Sequence, residues 1–252
     1  MKLISRKFKA LISSDWNECL APCGPFDVIT FNYPELTQSL HSIFQQYTGN
    51  QISLGKAAGR INKLIPKSLT IEQVDNYLDQ KFITYRNVKE LIQWCLDNGI
   101  LFMINTTGLI GYFQRIFAKK LLPVIPVLSA HPFLRFSTQL DDPEKILCLT
   151  EITHKGRNTK KVMEHYNILP QKTILMGDSG GDGPHFLWGK TIGAHLIGSM
   201  TKFSLKHYCA QNDIHPDLTW GISYEKEEKK TLDAEMNIDF LDLIPFIKKS
   251  LK

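Results

Sequence analysis

The segment Thr173-Ile174-Leu175-Met176-Gly177-Asp178-Ser179-Gly180-Gly181-Asp182 constrains the fold more than any other part of this chain. An apolar, strand-like run at 173–176 stops at a glycine, and two carboxylates four positions apart follow on a glycine-rich turn. Open α/β sheets gather their ligands at the carboxyl ends of parallel strands, and carboxylates placed there suit a hard cation such as Mg2+. A second apolar run at 10–14 ends in Asp15, with Asn17 two residues on. If both runs belong to one parallel sheet, Asp15, Asp178 and Asp182 meet at one edge of it. The pattern predicts a metal-assisted site.

The rest of the chain supplies the helices that such a sheet needs. Over 34–81 the apolar residues Leu36, Leu40, Ile43 and Phe44 fall at helical spacing, and Gly49, Gly55, Gly59 and Pro66 are expected to cut the region into short helices. Residues 87–97 read as a core helix with Val88, Leu91, Ile92 and Cys95 on one face and Asn98-Gly99 as its stop. A short strand over 100–104, a helix over 109–120 and a strand over 124–128 follow, with Pro126 suiting an edge position. A helix over 159–165 precedes Pro170, and further strands are expected at 194–197 and 220–224. The charged run 225–230 reads as a solvated loop or helix start. This alternation predicts an α/β fold, a Rossmann-like doubly wound parallel sheet. The expected division is a core domain of residues 1–33 and 85–252, with a small helical cap domain over 34–84 inserted after the first strand.

At 252 residues and 43% hydrophobic, the chain can fill a core of that size. Its net charge of +5 is spread out, and its basic residues are not interleaved with aromatics on one stripe, so nucleic acid is not expected as a partner. A small phosphorylated metabolite fits the charge as well. Cys19 and Cys23 have a ligand-like spacing, but no second Cys or His pair stands nearby, and the odd total of five cysteines suits reduced thiols in a cytoplasmic protein. Lys2, Arg6, Lys7 and Lys9 precede no long apolar stretch, so neither a signal peptide nor a membrane span is expected. The sequence leaves the oligomeric state open.

Four stations in order along the chain resemble the haloacid dehalogenase-type hydrolase superfamily. Asp15-Trp16-Asn17-Glu18-Cys19 stands where the superfamily has Asp-x-Asp-x-Thr after its first strand. Thr106 or Thr107 stands for the Thr or Ser that ends the next core strand. Lys155, in His154-Lys155-Gly156, matches the lysine that opens a helix, and Gly177 to Asp182 matches Gly-Asp-x-x-x-Asp. The resemblance implies a hydrolase, and most directly a phosphatase, in which Asp15 attacks phosphorus to form an aspartyl-phosphate. It implies Mg2+ held by Asp15, Asp178 and the backbone carbonyl of Asn17. Asp182 would bind the metal through water or orient Lys155. Lys155 and Thr106 or Thr107 would bind the phosphoryl oxygens.

The departures from that pattern carry chemical weight. The superfamily's phosphatases use the second Asp of the first motif as general acid and base. Here it is Asn17, and loss of such a group costs about 10²–10⁴-fold in rate. Glu18 and Cys19 replace the usual Gly and Thr, and His185 is a candidate proton carrier or a buried histidine behind the site. Asp-Trp with a non-acidic residue at 17 also resembles the phosphonatase branch, whose cap lysine forms a Schiff base; Lys56, Lys63 and Lys67 are the candidates in this chain. A third reading is a catalytically silent relative that binds a phosphorylated ligand or a protein. The stretch between Thr106 and Lys155 leaves little room for a second cap.

Overall fold

The computed structural model describes residues 7–48 and 51–252. Within them seven strands form one sheet: β1 (Ala10–Ser14), β2 (Ile100–Leu109), β3 (Val127–His131), β4 (Lys145–Cys148), β5 (Thr173–Gly177), β6 (His195–Ser199) and β7 (Leu218–Trp220). Their order is β4-β3-β2-β1-β5-β6-β7, and every pairing is parallel. This is the doubly wound α/β sheet expected from the sequence. Every residue of β1, β3 and β5 is buried, as strands covered on both faces must be. The edge strands β4 and β7 are partly exposed. At the centre Ile12 of β1 stands in register with Phe102 of β2 and Ile174 of β5. The chain order reverses between β1 and β5, which opens a crevice at their carboxyl ends.

Among the described residues five α-helices lie between β1 and β2, and the first four are α1 (Asp27–Asn32), α2 (Thr37–Thr48), α3 (Leu54–Leu64) and α4 (Ile71–Lys81). Ser53 caps α3, and a reciprocal capping box of Thr70 and Gln73 starts α4. Gly55 and Gly59 do not interrupt the helix, because both lie inside α3. A helical glycine costs only about 1 kcal/mol, and the buried stripe Leu54, Ala57 and Ile61 outweighs it. Gly49 lies outside the described residues. The Gly55 N–H donates to Glu151 Oε1 at 3.2 Å, tying α3 to the segment that leads from β4 into α7. The next helix, α5 (Val88–Asp97), buries Val88, Leu91, Ile92 and Cys95 as its periodicity predicts.

The remaining helices are α6 (Ile110–Ala118), α7 (His154–Tyr166), α8 (Gly183–Ile192), α9 (Phe203–Gln211), α10 (Leu232–Met236) and α11 (Ile244–Ser250). Several boundaries differ from expectation for local reasons. β2 runs on to Leu109 with an irregularity between Asn105 and Leu109, so Thr106 and Thr107 lie inside the strand rather than at its end. β3 starts after Pro126 and is interior, not an edge. The proline stands just outside the ladder, where its carbonyl accepts from Lys145 N at 3.0 Å and no N–H is needed. The short β4 was not anticipated. The last strand is Leu218–Trp220, not 220–224, because Gly221 turns the backbone to φ +72° beneath the Met200 side chain. α7 begins five residues before the expected start, at His154, which puts Lys155 in its first turn. A cation there opposes the helix dipole, and only tertiary partners make the position favourable. Among the described residues no helix is long and apolar enough to cross a membrane.

Candidate active site

Asp15 leaves β1 with its N–H bonded to Met176 O on β5 at 3.0 Å, so the two central strands jointly place it. Its Oδ1 accepts from Trp16 N at 2.7 Å, and its Oδ2 lies 2.9 Å from Lys155 Nζ. Asp178 and Asp182 follow β5. Asp182 folds back over Gly177 so closely that a Cβ there would stand 2.4 Å from the Asp182 carboxyl carbon, and only glycine admits it. Asp182 Oδ2 then accepts from the N–H groups of Asp178 and Ser179 at 3.0 and 3.3 Å, while Oδ1 takes Lys155 Nζ at 2.5 Å. Both of its oxygens are engaged within the protein. One ligand atom from each of Asp15, Asp178 and Asp182 lies within 4.8 Å of the others, a buried cluster that could hold a metal ion.

The sequence-predicted residues thus converge at the crevice. Thr106 is fully buried; its hydroxyl accepts from Gly108 N at 3.1 Å and donates to Asn17 Oδ1 at 3.4 Å. Thr107 is half-buried and lines the cleft itself. Lys155 is buried between two carboxylates. Burial alone would lower its ammonium, but Asp15 and Asp182 raise it well above its usual value and hold it charged. Burial pushes Asp178 up to about 7, against the pull of Lys202 and with help from the Asp182 and Asp15 charges.

Lys202, which sequence reasoning did not single out, stands at the amino end of α9. Its Nζ lies 2.7 Å from Asp178 Oδ2, yet off the direction of a proper hydrogen bond, so that buried oxygen is left without one. Glu18 pairs with both Lys202 and Lys230. Those two ammonium groups hold its carboxyl below the usual range although burial opposes them. Glu18 also adopts φ 56°, the left-handed conformation that the more usual glycine would take without cost. Its two ion pairs compensate for that backbone. Lys202 follows β6 at the same sheet edge as the carboxylates, so the rule that pointed to Asp15 and Asp178 could have found it too.

A buried polar net anchors the site from behind. Asn105 Nδ2 donates to Ser13 Oγ, to Thr159 Oγ1 and to the carbonyl of Lys155 at 3.0–3.1 Å, joining β1, β2 and α7. Thr159 also meets His185 Nε2 at 3.1 Å, and the His185 ring stacks on Trp188. His185 is 2% exposed and sits behind the site rather than in the cleft. Cys19 and Cys23 are buried free thiols. Lys56, Lys63 and Lys67 are exposed, and none of them lines the cleft.

The cleft that these groups share has a volume of about 330 Å³. No family model and no curated protein matches the sequence. Solved structures share its fold. A substrate-bound phosphoserine phosphatase superposes with a TM-score of 0.65 at 16% identity, covering 95% of this chain and 99% of that one. A phospho-aspartyl intermediate analogue of phosphoserine phosphatase gives 0.63 at 16%, with the same coverage. A HAD-family hydrolase of Salmonella enterica subsp. enterica serovar Typhi gives 0.58 at 14%, covering 91% of this chain and 72% of that one. The fold is that of the haloacid dehalogenase-type hydrolases. Within this HAD-type fold the departure at position 17 takes a definite form. The Asn17 amide donates to the Cys23 carbonyl at 3.2 Å, a contact that an ionised carboxylate could not make.

Proposed function

We propose that the chain is a Mg2+-dependent phosphomonoester hydrolase acting through an aspartyl-phosphate on Asp15, with residues 34–84 serving as its cap. The observation that carries this reading is the convergence of Asp15, Lys155, Asp178 and Asp182 in one buried cluster. The donor set fits a hard cation: three buried carboxylates meet, and Asp178 Oδ2 lacks a well-directed hydrogen bond. Mg2+ held by Asp15, Asp178 and the Asn17 carbonyl would offset the repulsion between Asp15 and a phosphate dianion. An Asp15 oxygen attacks phosphorus as the ester P–O bond breaks. Lys155 and the threonines of β2 hold the equatorial oxygens, and Asp182 keeps Lys155 aimed. The phospho-aspartyl analogue of the phosphoserine phosphatase with the same fold supports Asp15 in this role. The exposed positions of Lys56, Lys63 and Lys67 speak against a Schiff-base mechanism.

Release of phosphate from p-nitrophenyl phosphate is expected to require Mg2+ and to stop with EDTA. Calorimetry should show Asp178→Ala weakening Mg2+ binding by at least about tenfold. Lys202→Met, which removes a tethered cation from Asp178, should tighten it by about tenfold. Activity that is indifferent to Mg2+, or an unchanged affinity in Asp178→Ala, overturns the reading.

Asn17 tests the proton step. A carboxyl at this position would face the Cys23 carbonyl and keep its proton, which is the state a general acid needs. Asn17→Asp is therefore expected to raise the turnover of an alkyl phosphate by up to about 10²-fold, with some loss of stability. Steady-state kinetics on ethyl phosphate reads the gain, and no gain in a variant that binds Mg2+ normally would remove Asn17 from the account of a slow enzyme.

A further inference from the structure

Two independent features of the cleft select the leaving group. One is chemical. When the P–O bond breaks, its electron pair stays on the departing oxygen, which needs a proton unless it is stable as an anion. Asn17 cannot supply one, and the Glu18 carboxylate is engaged by Lys202 and Lys230 instead of facing the leaving oxygen's place beside Asp15. The other feature is the wall facing the carboxylates. Phe44 and Tyr47 on α2 stand on one side, and Phe203, His207 and Tyr208 on α9 on the other. Phe203 and His207, one helical turn apart, stack on each other at 5.6 Å with ring planes 16° apart.

The charges lining the cleft are spoken for. Asp15 pairs with Lys155, and Glu18 and Asp178 pair with Lys202. Among the described residues lining the cleft no unpaired ammonium or carboxylate remains to meet the charged backbone of an amino-acid substrate, although phosphoserine phosphatases share the fold. A volume of about 330 Å³ is at the small end of ligand clefts, which begin near about 300 Å³.

We propose that the substrate is an aryl phosphomonoester, a phosphate ester of a phenol whose ring lies between the α2 and α9 aromatics. This rests on the phosphatase reading above. The phosphoryl group passes to Asp15, the P–O(aryl) bond breaks, and the phenolate leaves as an anion and is protonated by solvent. Water then hydrolyses the acyl-phosphate, returning Asp15 and inorganic phosphate. Ring faces recognise the leaving group, and its own acidity replaces the missing acid.

Two measurements on the Mg2+-loaded protein test the proposal. Phenylphosphonate and methylphosphonate report binding without turnover, and calorimetry should find the aryl compound about tenfold tighter, a preference that Phe203→Ala should largely erase. Phenyl phosphate and benzyl phosphate carry the same ring but differ in leaving-group acidity. The wild type should favour phenyl phosphate by at least about 10²-fold in kcat/KM, and Asn17→Asp should shrink that ratio by raising benzyl phosphate turnover. Equal binding of the two phosphonates, or benzyl phosphate turned over as fast as phenyl phosphate, overturns the substrate class while leaving the phosphatase reading in place. If neither phosphonate binds and neither ester is cleaved, the phosphatase reading fails, and this proposal with it.

Discussion

Asp15→Asn is expected to lower turnover by at least roughly 10⁴-fold while leaving the protein folded. The amide has no anionic oxygen with which to form an acyl-phosphate, so the chemical step is lost rather than slowed. The fold should survive because the partner left behind is not stranded: Lys155 keeps Asp182 at 2.5 Å, and an amide oxygen can still accept from Trp16 N. A buried lysine stripped of every carboxylate would behave differently, since an uncompensated buried charge costs several kcal/mol. Phosphate release should therefore fall to background while the near-UV circular dichroism and the unfolding midpoint stay close to wild type. Turnover near the wild-type rate, in protein free of contaminating phosphatase, would take Asp15 out of the nucleophile role.

The second large effect concerns acid stability. Burial, reinforced by the Lys155 charge, lowers His185 from 6.5 to about 3, so the ring stays neutral in the folded protein. Once unfolded it protonates near 6.5. Below that pH the unfolded chain binds a proton that the native state refuses, so stability is full above pH 6.5 and falls as pH drops toward 3. At about 1.4 kcal/mol per pH unit the full loss is roughly 5 kcal/mol, and about 2 kcal/mol of it appears by about pH 5. His185→Gln can keep a hydrogen bond to Thr159 and does not titrate, so its stability should decline less steeply across this range. Urea unfolding of both proteins between about pH 7 and 4.5 measures the difference. Parallel curves would show that His185 is not protected from protonation. The comparison needs the variant because Asp178 works in the opposite sense in metal-free protein. Its folded value of about 7 lies above the usual 3.8, so its contribution favours the native state at low pH and is lost as pH rises toward 7.

The sequence alone carried the sheet and the ends of its central strands. Runs such as 10–14 and 173–176 are uncharged and mostly apolar because both faces of β1 and β5 are covered, and that requirement is local enough to be written in a few consecutive residues. Asp15, Asp178 and Asp182 were legible for the same reason, as carboxylates that interrupt an apolar run at the edge where such sheets bind ligands. Lys155 was legible through its order among the motifs, not through helix propensity, which would have started α7 later.

Tertiary structure decided what depends on partners distant in the chain. Lys202 meets Glu18 across 184 positions, and that contact both ties up a carboxylate at the site mouth and supports the left-handed backbone at Glu18. The Asn105 net behind Lys155 joins residues from β1, β2 and α7, each an ordinary polar residue when read in isolation. β4 escaped because a short, half-exposed edge strand needs no apolar run, only the free edge of β3 to pair with. The aromatic wall of the cleft was equally silent. Phe44 belongs to a helical stripe and Phe203 starts a helix of no evident pattern, and only the packing of α2 and α9 around the strand ends turns them toward the same space. A covalent neighbourhood can specify a strand and the acid at its tip. Which surfaces then face each other across a cleft depends on how distant segments pack, and no local pattern encodes it.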